Sequence, residues 1–189
     1  MTIEMDQRAL WSNSYGLYVV ASCFQGKANG QIANTVFQVA AQPPRIAVAI
    51  NKENYTHELI EKSGMMSVSV LAADTPMKFI GRFGFRTGRD LDKFEGVETM
   101  EGNQGCPCVT ENAVSIFEAK VFDSVDVGTH TVYVADVTSG KVLSDKEPMT
   151  YATYHQMKGR APASAPTYQG PTPEKAPTYR GPESEKKDQ

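Results

Sequence analysis

The sequence predicts a mainly β fold: a β-barrel that carries a few short peripheral helices. Several segments rich in β-branched and aromatic residues have the length of strands, whereas the helical segments are few and short. Strands and helices do not alternate regularly, as they would in a parallel α/β sheet. A barrel is therefore favoured over a doubly wound α/β fold.

Six segments have the composition of strands. Val, Ile, Thr, Tyr and Phe are frequent in each, and the segment SVSVL alternates polar and apolar residues as a half-buried strand does. In chain order the predicted strands are 15–24, 35–41, 45–50, 67–71, 114–122 and 131–137. Residues 25–30, QGKANG, form a turn cluster after the first strand.

Three short helices are expected between or after the strands. Thr56 can cap a helix over HELIEKS that ends at Gly64, where a left-handed residue stops it. Thr75 followed by Pro76 at the first helical position opens a second helix. The third helix covers residues 150–157.

Composition limits the class of partner. The chain has 189 residues, with 19 Lys and Arg against 22 Asp and Glu and a net charge of −3. Near-neutral charge argues against nucleic acid or an acidic membrane held by bulk electrostatics. The sequence contains no stretch of about 18 apolar residues, so it predicts no membrane-spanning helix. The start, MTIEMDQRALW, is unlike a signal peptide, so we expect a cytoplasmic protein.

The three cysteines predict neither a disulfide framework nor a metal site. Cys106 and Cys108 flank a proline, but no second ligand pair accompanies them. The third cysteine, Cys23, is distant in sequence, and an odd number cannot form a complete set of disulfides. We expect reduced thiols.

Composition changes sharply after Met157. Residues 159–189 contain no Val, Ile, Leu, Met, Phe or Trp and carry six of the eleven prolines. Such a segment buries too little apolar surface to fold alone, so the predicted domain is 1–158. The unit Ala-Pro-Thr-Tyr recurs with Tyr168 and Tyr179, and the segment is either an arm that docks through these tyrosines or a free linker.

A candidate anion site follows the third predicted strand. The strand ends near Ile50 and leads through a polar loop into a helix N-terminus, where free backbone N–H groups and the helix dipole favour an anion. Lys52 adds a positive charge and Thr56 a hydroxyl. A phosphate would fit; the alternative is an ordinary capped helix with a solvated lysine.

A second candidate segment precedes it. Gly30 permits close approach to a ligand, and Asn34, Thr35 and Gln38 offer both donors and acceptors to the edge of a flat heteroaromatic ring. Taken alone, residues 29–38 predict only a hairpin.

Together, residues 29–60 resemble the flavin reductase-like, FMN-binding split-barrel family, particularly flavoredoxins and the flavin domain of high-molecular-weight rubredoxins. The shared features are an Asn-Gly turn, an Ala-Asn-Thr segment, a proline before the next strand and an Asn-Lys loop ending in Thr-His. Residues 88–94, 128–130 and 151–159 add weaker likenesses, so the resemblance spans about residues 8–160. Two features depart from the family: Thr129 replaces its usual Asp, and no cysteine follows Cys108 to form a rubredoxin iron site.

The resemblance implies a mainly β, Greek-key split barrel that binds FMN near a homodimer interface. The implied contacts to the isoalloxazine ring are Ala33, Asn34, Thr35, Val36 and Gln38, and those to the ribityl phosphate are Asn51, Lys52, Thr56 and His57. Lys93, in a loop over residues 89–94 that closes over the cofactor, is either a phosphate contact or a solvated charge. His130 either orients a nicotinamide or is structural.

The implied function is that of an FMN-containing oxidoreductase. It accepts electrons from NAD(P)H or a reduced protein and passes them to a redox partner or a small acceptor. The alternatives are a flavoredoxin-like electron carrier without its own small-molecule turnover and a flavin-binding module. No catalytic side chain is required, because the flavin supplies the redox chemistry.

Overall fold

A computed structural model describes Asp6, Leu10 and residues 13–158. Nine strands and three helices lie in this part of the chain. In chain order they are β1 (Tyr18–Phe24), β2 (Lys27–Ala33), β3 (Val36–Ala41), β4 (Pro44–Asn51), α1 (Tyr55–Ser63), β5 (Met65–Leu71), α2 (Met77–Gly84), β6 (Thr99–Glu101), β7 (Pro107–Val109), β8 (Ala113–Asp126), β9 (His130–Val142) and α3 (Tyr151–Lys158).

Seven strands form one antiparallel sheet in the order β2-β1-β5-β8-β9-β4-β3, and β6 pairs with β7 in a separate hairpin. Only Asn34 and Thr35 join β2 to β3, the two opposite edges of the large sheet. Three peptide steps reach at most about 11 Å, whereas six strand spacings in a flat sheet would cover about 29 Å. The sheet therefore curls until its edges meet, which makes a barrel split between β2 and β3. The predicted mainly β fold is confirmed.

The barrel interior is apolar and continuous. Val20, Val48, Val68 and Tyr133 pack there from β1, β4, β5 and β9, and Ile60 enters from α1. A second cluster forms where α2 packs outside the barrel, and its buried residues are Leu17, Val19, Leu71, Phe79, Ile80, Phe83, Val109, Met149 and Tyr154. Burying each large aliphatic side chain contributes roughly 1.5–3 kcal/mol, so these clusters fix the position of both helices.

The strand β2 was not predicted. Only Gln25 and Gly26 form the turn, with φ of 50° and 74°, and Phe24 pairs with Lys27 directly after it. The remaining residues of the predicted turn cluster continue as a strand whose inward side chains include Asn29, 3% exposed. Polar residues on the inward face hide the alternation of polar and apolar residues that identifies a strand in a sequence. The segment is a strand because it pairs with β1.

The start of α1 also differs from the prediction. Asn54, not Thr56, is the N-cap, and the helix begins at Tyr55. Thr56 lies inside the first turn and is fully buried, with its hydroxyl oxygen 2.8 Å from Nδ2 of Asn29. The predicted end is confirmed, since Gly64 has φ 67° and its N–H donates to the carbonyl of Ile60.

The other helices agree with the prediction except at one cap. Pro76 is the N-cap of α2, and the helix starts one residue later. The hydroxyl of Thr75 donates to the carbonyl of Ala72 at 2.6 Å and does not cap the helix. The third predicted helix is confirmed as α3, where the Thr150 hydroxyl accepts the N–H of Thr153 at 3.0 Å.

The expectation of three reduced thiols is wrong for two of them. Cys23, near the end of β1, and Cys106, just before β7, form a disulfide across 83 positions of sequence. Cys108 is free and buried. The prediction failed because pairing depends on the contact between β1 and the β6–β7 hairpin, which sequence spacing does not reveal. Within the described residues, each helix is too short or too polar to cross a lipid bilayer.

Candidate functional site

The segment that joins β2 to β3 exposes polar groups at the split in the barrel. Ala33 pairs with Tyr18, whereas Val36 pairs with Val48 on the opposite edge. Between them, the Thr35 hydroxyl donates to Oδ1 of Asn34 at 3.1 Å, and both side chains are half-buried. The segment thus has apolar anchors at both ends and polar side chains in the middle.

Gln38 lies farther along β3 and faces solvent. Its Nε2 donates to the carbonyl of Ala40 at 3.0 Å, at the point where the pairing of β3 with β4 shifts register. The structure therefore places this predicted contact beside a β-bulge, with its amide directed along its own strand.

The loop from β4 to α1 leaves a helix N-terminus without a side-chain cap. The Asn51 carboxamide oxygen accepts the N–H of Glu53 at 2.9 Å, and the N-cap residue Asn54 makes no side-chain capping bond. The first amides of a helix have no intrahelical acceptor, and the helix dipole adds partial positive charge there. The N-terminus of α1 is therefore suited to bind an anion.

Lys52 lies beside this helix N-terminus, and both its backbone N–H and its side-chain ammonium have partners. Its N–H donates to the carbonyl of Thr129 at 3.0 Å, and its ammonium lies 2.5 Å from a carboxylate oxygen of Asp126. The Lys52 ammonium, which hydrogen-bonds that carboxylate, lowers the pKa of Asp126 below its usual value. An exposed ion pair of this kind is weak, so a doubly charged phosphate can compete with Asp126 for the lysine.

His57 points from α1 toward β9. Its Nε2 lies 2.8 Å from the Thr131 hydroxyl and 3.9 Å from a carboxylate oxygen of Glu61. Burial lowers the pKa of His57, and the nearby Glu61 carboxylate partly opposes this effect. The Tyr133 hydroxyl donates to the same carboxylate at 2.6 Å, so His57 belongs to a network that links α1 to β9.

His130 begins β9 and completes the group. It pairs across the sheet with Asn51, and its Nδ1 lies 2.8 Å from the hydroxyl of Thr129. The turn before it is tight: Gly128 has φ 91° and donates its N–H to Asp126 at 2.8 Å. The fold thus brings Asn51, Lys52 and His130 together at one end of the paired strands β4 and β9.

Thr56 and Lys93 lie deeper than the other predicted site residues. Lys93 is 4% exposed, and its Nζ donates to the carbonyls of Gly30 and Phe83 at 3.0 and 3.1 Å. Burial lowers the pKa of Lys93 to about 8. A solvated charge at this position is therefore wrong, and a phosphate contact stays a prediction. The Thr56 hydroxyl faces Asn29, whose Oδ1 is buried without a partner in the described part of the chain.

A cleft of about 1050 Å³ opens on another face of α1. Its walls are α1, residues 88–92, the β1–β2 turn and the β6–β7 hairpin. The Arg89 guanidinium lies 4.9 Å from the centre of the Tyr55 ring and pairs with Glu58 at 3.1 Å. Sequence reasoning missed this cleft, although Tyr55, Glu58 and Lys62 recur at the spacing of one helix face.

Comparison with known proteins identifies the family of the chain. Residues 11–160 match the family model described as flavin reductase like domain. The chain is 52% identical over 165 residues to the ferric-chelate reductase (NAD(P)H) of Archaeoglobus fulgidus, covering 87% of this chain and 98% of that protein. It is 45% identical over 165 residues to a high molecular weight rubredoxin of Moorella thermoacetica, covering 87% and 72% of the two chains.

Solved structures share the fold at lower identity. The NADH:FAD oxidoreductase SgcE6 of Streptomyces globisporus superposes with a TM-score of 0.70 at 23% identity, over 78% of this chain and 86% of that one. An FMN-binding protein of Thermus thermophilus gives a TM-score of 0.64 at 22% identity, over 71% and 75%. The resemblance noted in residues 29–60 is confirmed.

Proposed function

Because the chain belongs to the flavin reductase-like family, we propose that this flavin-dependent oxidoreductase holds FMN, takes electrons from NAD(P)H and passes them to a small acceptor or a redox protein. The NAD(P)H in the name of the Archaeoglobus fulgidus relative supports the electron donor, and its ferric-chelate substrate suggests the kind of acceptor. The redox acceptor protein is suggested by the rubredoxin relative.

The observation that carries the proposal is the distance from the seam of the barrel, where residues 33–36 join β2 to β3, to the start of the loop that leads from β4 into α1. The Thr35 carbonyl accepts the N–H of Ala49 at 3.1 Å, and β4 ends two residues later at Asn51. Two strand residues span about 7 Å. A flat ring at the seam and an anion in the loop that follows β4 would thus be separated by about the length of a ribityl chain.

The donor chemistry fits FMN. The dianionic phosphate requires N–H donors and a cation, which the N-terminus of α1 and Lys52 provide at one place. The ring requires small residues with backbone groups within reach, and the seam provides Ala33, Asn34 and Thr35. FMN needs one such phosphate site, so we propose the mononucleotide as the bound cofactor.

The remaining predicted residues act around this pair of subsites. Val36 and Gln38 extend the ring side along β3, and Asn51 shapes the phosphate loop through its bond to Glu53. His57 and Thr56 hold α1 from two sides through their contacts with Thr131 and Asn29. Lys93 ties the segment after α2 to β2 through the Gly30 carbonyl, so that the 88–94 loop stays next to the cofactor.

When bound, the flavin accepts a hydride and releases electrons singly or in pairs. The protein's contribution is binding, orientation and exclusion of water. His130 lies opposite Asn51, at the edge where a nicotinamide would approach, and its Nδ1 is held by the Thr129 hydroxyl. We propose that His130 orients the nicotinamide.

We also propose a homodimer, on the evidence of the outward face of β3, β4, β9 and β8. Two rows of paired residues cross these strands. Ala49, Val132 and Val125 form an apolar row, and Phe37, Ala47 and Val134 form a second row that ends at Asp123 on β8. Phe37 and Val125 are 53% and 54% exposed. Apolar faces of this kind on soluble proteins mark interaction sites, and a second copy covers both faces at once.

The test begins with the visible spectrum of the purified protein and titration of the apoprotein with FMN and FAD. Anaerobic mixing with NADH and with NADPH then follows bleaching of the flavin. Rapid bleaching supports an NAD(P)H oxidoreductase, whereas reduction only by a reduced protein supports the electron-carrier alternative. A protein that is reduced by neither is a flavin-binding module, and failure to bind FMN overturns the proposal.

A further inference from the structure

The Cys23–Cys106 disulfide joins two walls of the cleft beside α1. The two Cα atoms are 5.2 Å apart. Phe24, next to the first cysteine, and Gly105 and Pro107, on both sides of the second, line the cleft. The disulfide therefore ties the β1–β2 turn to the β6–β7 hairpin at the place where the cleft opens.

We propose that this disulfide is a thiol–disulfide exchange site, at which an external dithiol releases the β6–β7 hairpin from β1. Cys23 is the cysteine open to attack, because this residue is partly exposed, whereas Cys106 is 1% exposed. A thiolate of the dithiol attacks Sγ of Cys23, the bond between the two cysteines breaks, and Cys106 leaves as a thiolate that takes up a proton. The second thiol of the reductant then attacks the mixed disulfide, which leaves Cys23 reduced and the reductant oxidised.

The movement that follows reduction is confined to the hairpin. Glu118 is 3% exposed, and its carboxylate accepts the N–H groups of Asn103 and Gln104 at 3.0 and 3.1 Å and the Ser139 hydroxyl at 2.6 Å. These bonds hold the hairpin loop to β8 and β9 whatever the state of the cysteines. The disulfide is the covalent link to β1, so its loss loosens one wall of the cleft and leaves the barrel intact.

Cys108 takes no part in the exchange and serves as an internal control. It is 3% exposed, and burial, with the negative charge of Glu118 adding to it, raises the pKa of its thiol. A buried thiol that stays protonated is a poor nucleophile. Three cysteines thus separate into one exchangeable pair and one inert thiol.

The first experiment is alkylation of the native protein with a maleimide, read by peptide mass spectrometry, before and after a dithiothreitol titration. We expect no labelled cysteine beforehand, and Cys23 and Cys106 labelled afterwards while Cys108 stays protected until denaturant is added. Labelling of Cys23 without reductant overturns the proposal, and so does a pair that is reduced only after the protein unfolds.

The second experiment is hydrogen exchange of the oxidised and reduced protein. Amides of residues 99–102 should exchange about tenfold faster after reduction, because local opening becomes easier, while those of β8 and β9 should not change. Cys23→Ser should show the fast rates without reductant, and Cys108→Ala should behave as the unmodified protein does. If Cys23→Ser does not fold, the reduced protein itself decides. Equal rates in both redox states overturn the proposal.

Discussion

Asn51, the last residue of β4, lies directly opposite His130, the first residue of β9. Residues paired in this way have Cα atoms about 4.5–5.5 Å apart. The register of two strands therefore sets the distance between the loop proposed to hold a phosphate and the residue proposed to orient a nicotinamide. A mutation at either residue should report on the part of the site it serves.

Lys52→Ala should weaken FMN binding without unfolding the barrel. The side chain is partly exposed, and Lys52 lies two residues before the uncapped N-terminus of α1, so in the proposed site its loss removes a charge-assisted contact to the phosphate. Such contacts contribute about 1.5–3 kcal/mol, which corresponds to a Kd raised by roughly tenfold or more. Titration of the apoprotein with FMN measures the change, and thermal unfolding of the apoprotein serves as the check on folding.

Asp126→Asn is the matched control for this variant. It breaks the same ion pair but leaves Lys52 free for a phosphate. FMN binding should be unchanged or tighter. If both variants weaken binding equally, Lys52 acts through its pairing with Asp126, and the phosphate site at α1 is wrong.

His130→Ala should slow reduction of the bound flavin by NAD(P)H about tenfold, which is 1.4 kcal/mol in the barrier, and should leave FMN affinity unchanged. Thr129→Val removes only the hydroxyl that lies 2.8 Å from Nδ1, so we expect a smaller loss in the same direction. Single-turnover stopped-flow kinetics measures both rates. An unchanged rate in His130→Ala would assign the histidine to the turn alone.

Val125→Glu should convert the proposed homodimer into a monomer of 20.7 kDa. The side chain is 54% exposed on the outward sheet face, so a carboxylate there is tolerated by the monomer but costly in an apolar interface. Val142→Glu is the control, because this valine is 71% exposed at the far end of β9. Sedimentation at micromolar concentration distinguishes the two states, and a monomeric unmodified protein contradicts the proposal.

Lys93 should make stability depend on alkaline pH. Its folded pKa of about 8 lies below the ordinary value of 10.5 because the ammonium is buried. Between these values the unfolded chain binds more protons than the folded one, so the free energy of unfolding rises with pH through this window, by up to about 3 kcal/mol. Below pH 8 both states are protonated, and the contribution no longer changes.

The measurement compares urea unfolding of the unmodified protein and of Lys93→Met at pH 7, 9 and 10. The variant removes the titrating amine, so the rise specific to Lys93 should disappear while other groups contribute equally to both proteins. Parallel pH dependences would mean that the carbonyls of Gly30 and Phe83 hold the ammonium charged throughout.

The predictable part of the fold was the part set by local composition. All six predicted strands are present, because β-branched residues with an inward apolar face suffice for β1, β4, β5 and β9. The strand β2 escaped prediction since its inward residues are Asn29 and Gln31, and the short strands β6 and β7 leave almost no periodic signal. Their existence depends on pairing with distant segments.

The candidate site also has a part that the sequence predicts and a part that depends on distant neighbours. Asn51, Lys52 and His130 converge because they lie at strand ends and in turns, and the sequence motifs mark these positions. The buried position of Lys93, the contact of Thr56 with Asn29 and the disulfide all depend on tertiary neighbours. No spacing rule encodes which distant carbonyl or thiol a side chain meets.

The length of the connection between β2 and β3, which is two residues, also affects which side chains of these strands face the core. Side chains alternate across a strand, so one inserted or deleted residue between Ala33 and Val36 would turn every side chain of one strand to the opposite face. Phe37 would then point into the barrel and Val36 outward, and the outer apolar face and the core would fail together. Variation in length is tolerated in most surface loops, but a deletion here would shorten a connection that already joins the two edges of the sheet with two residues.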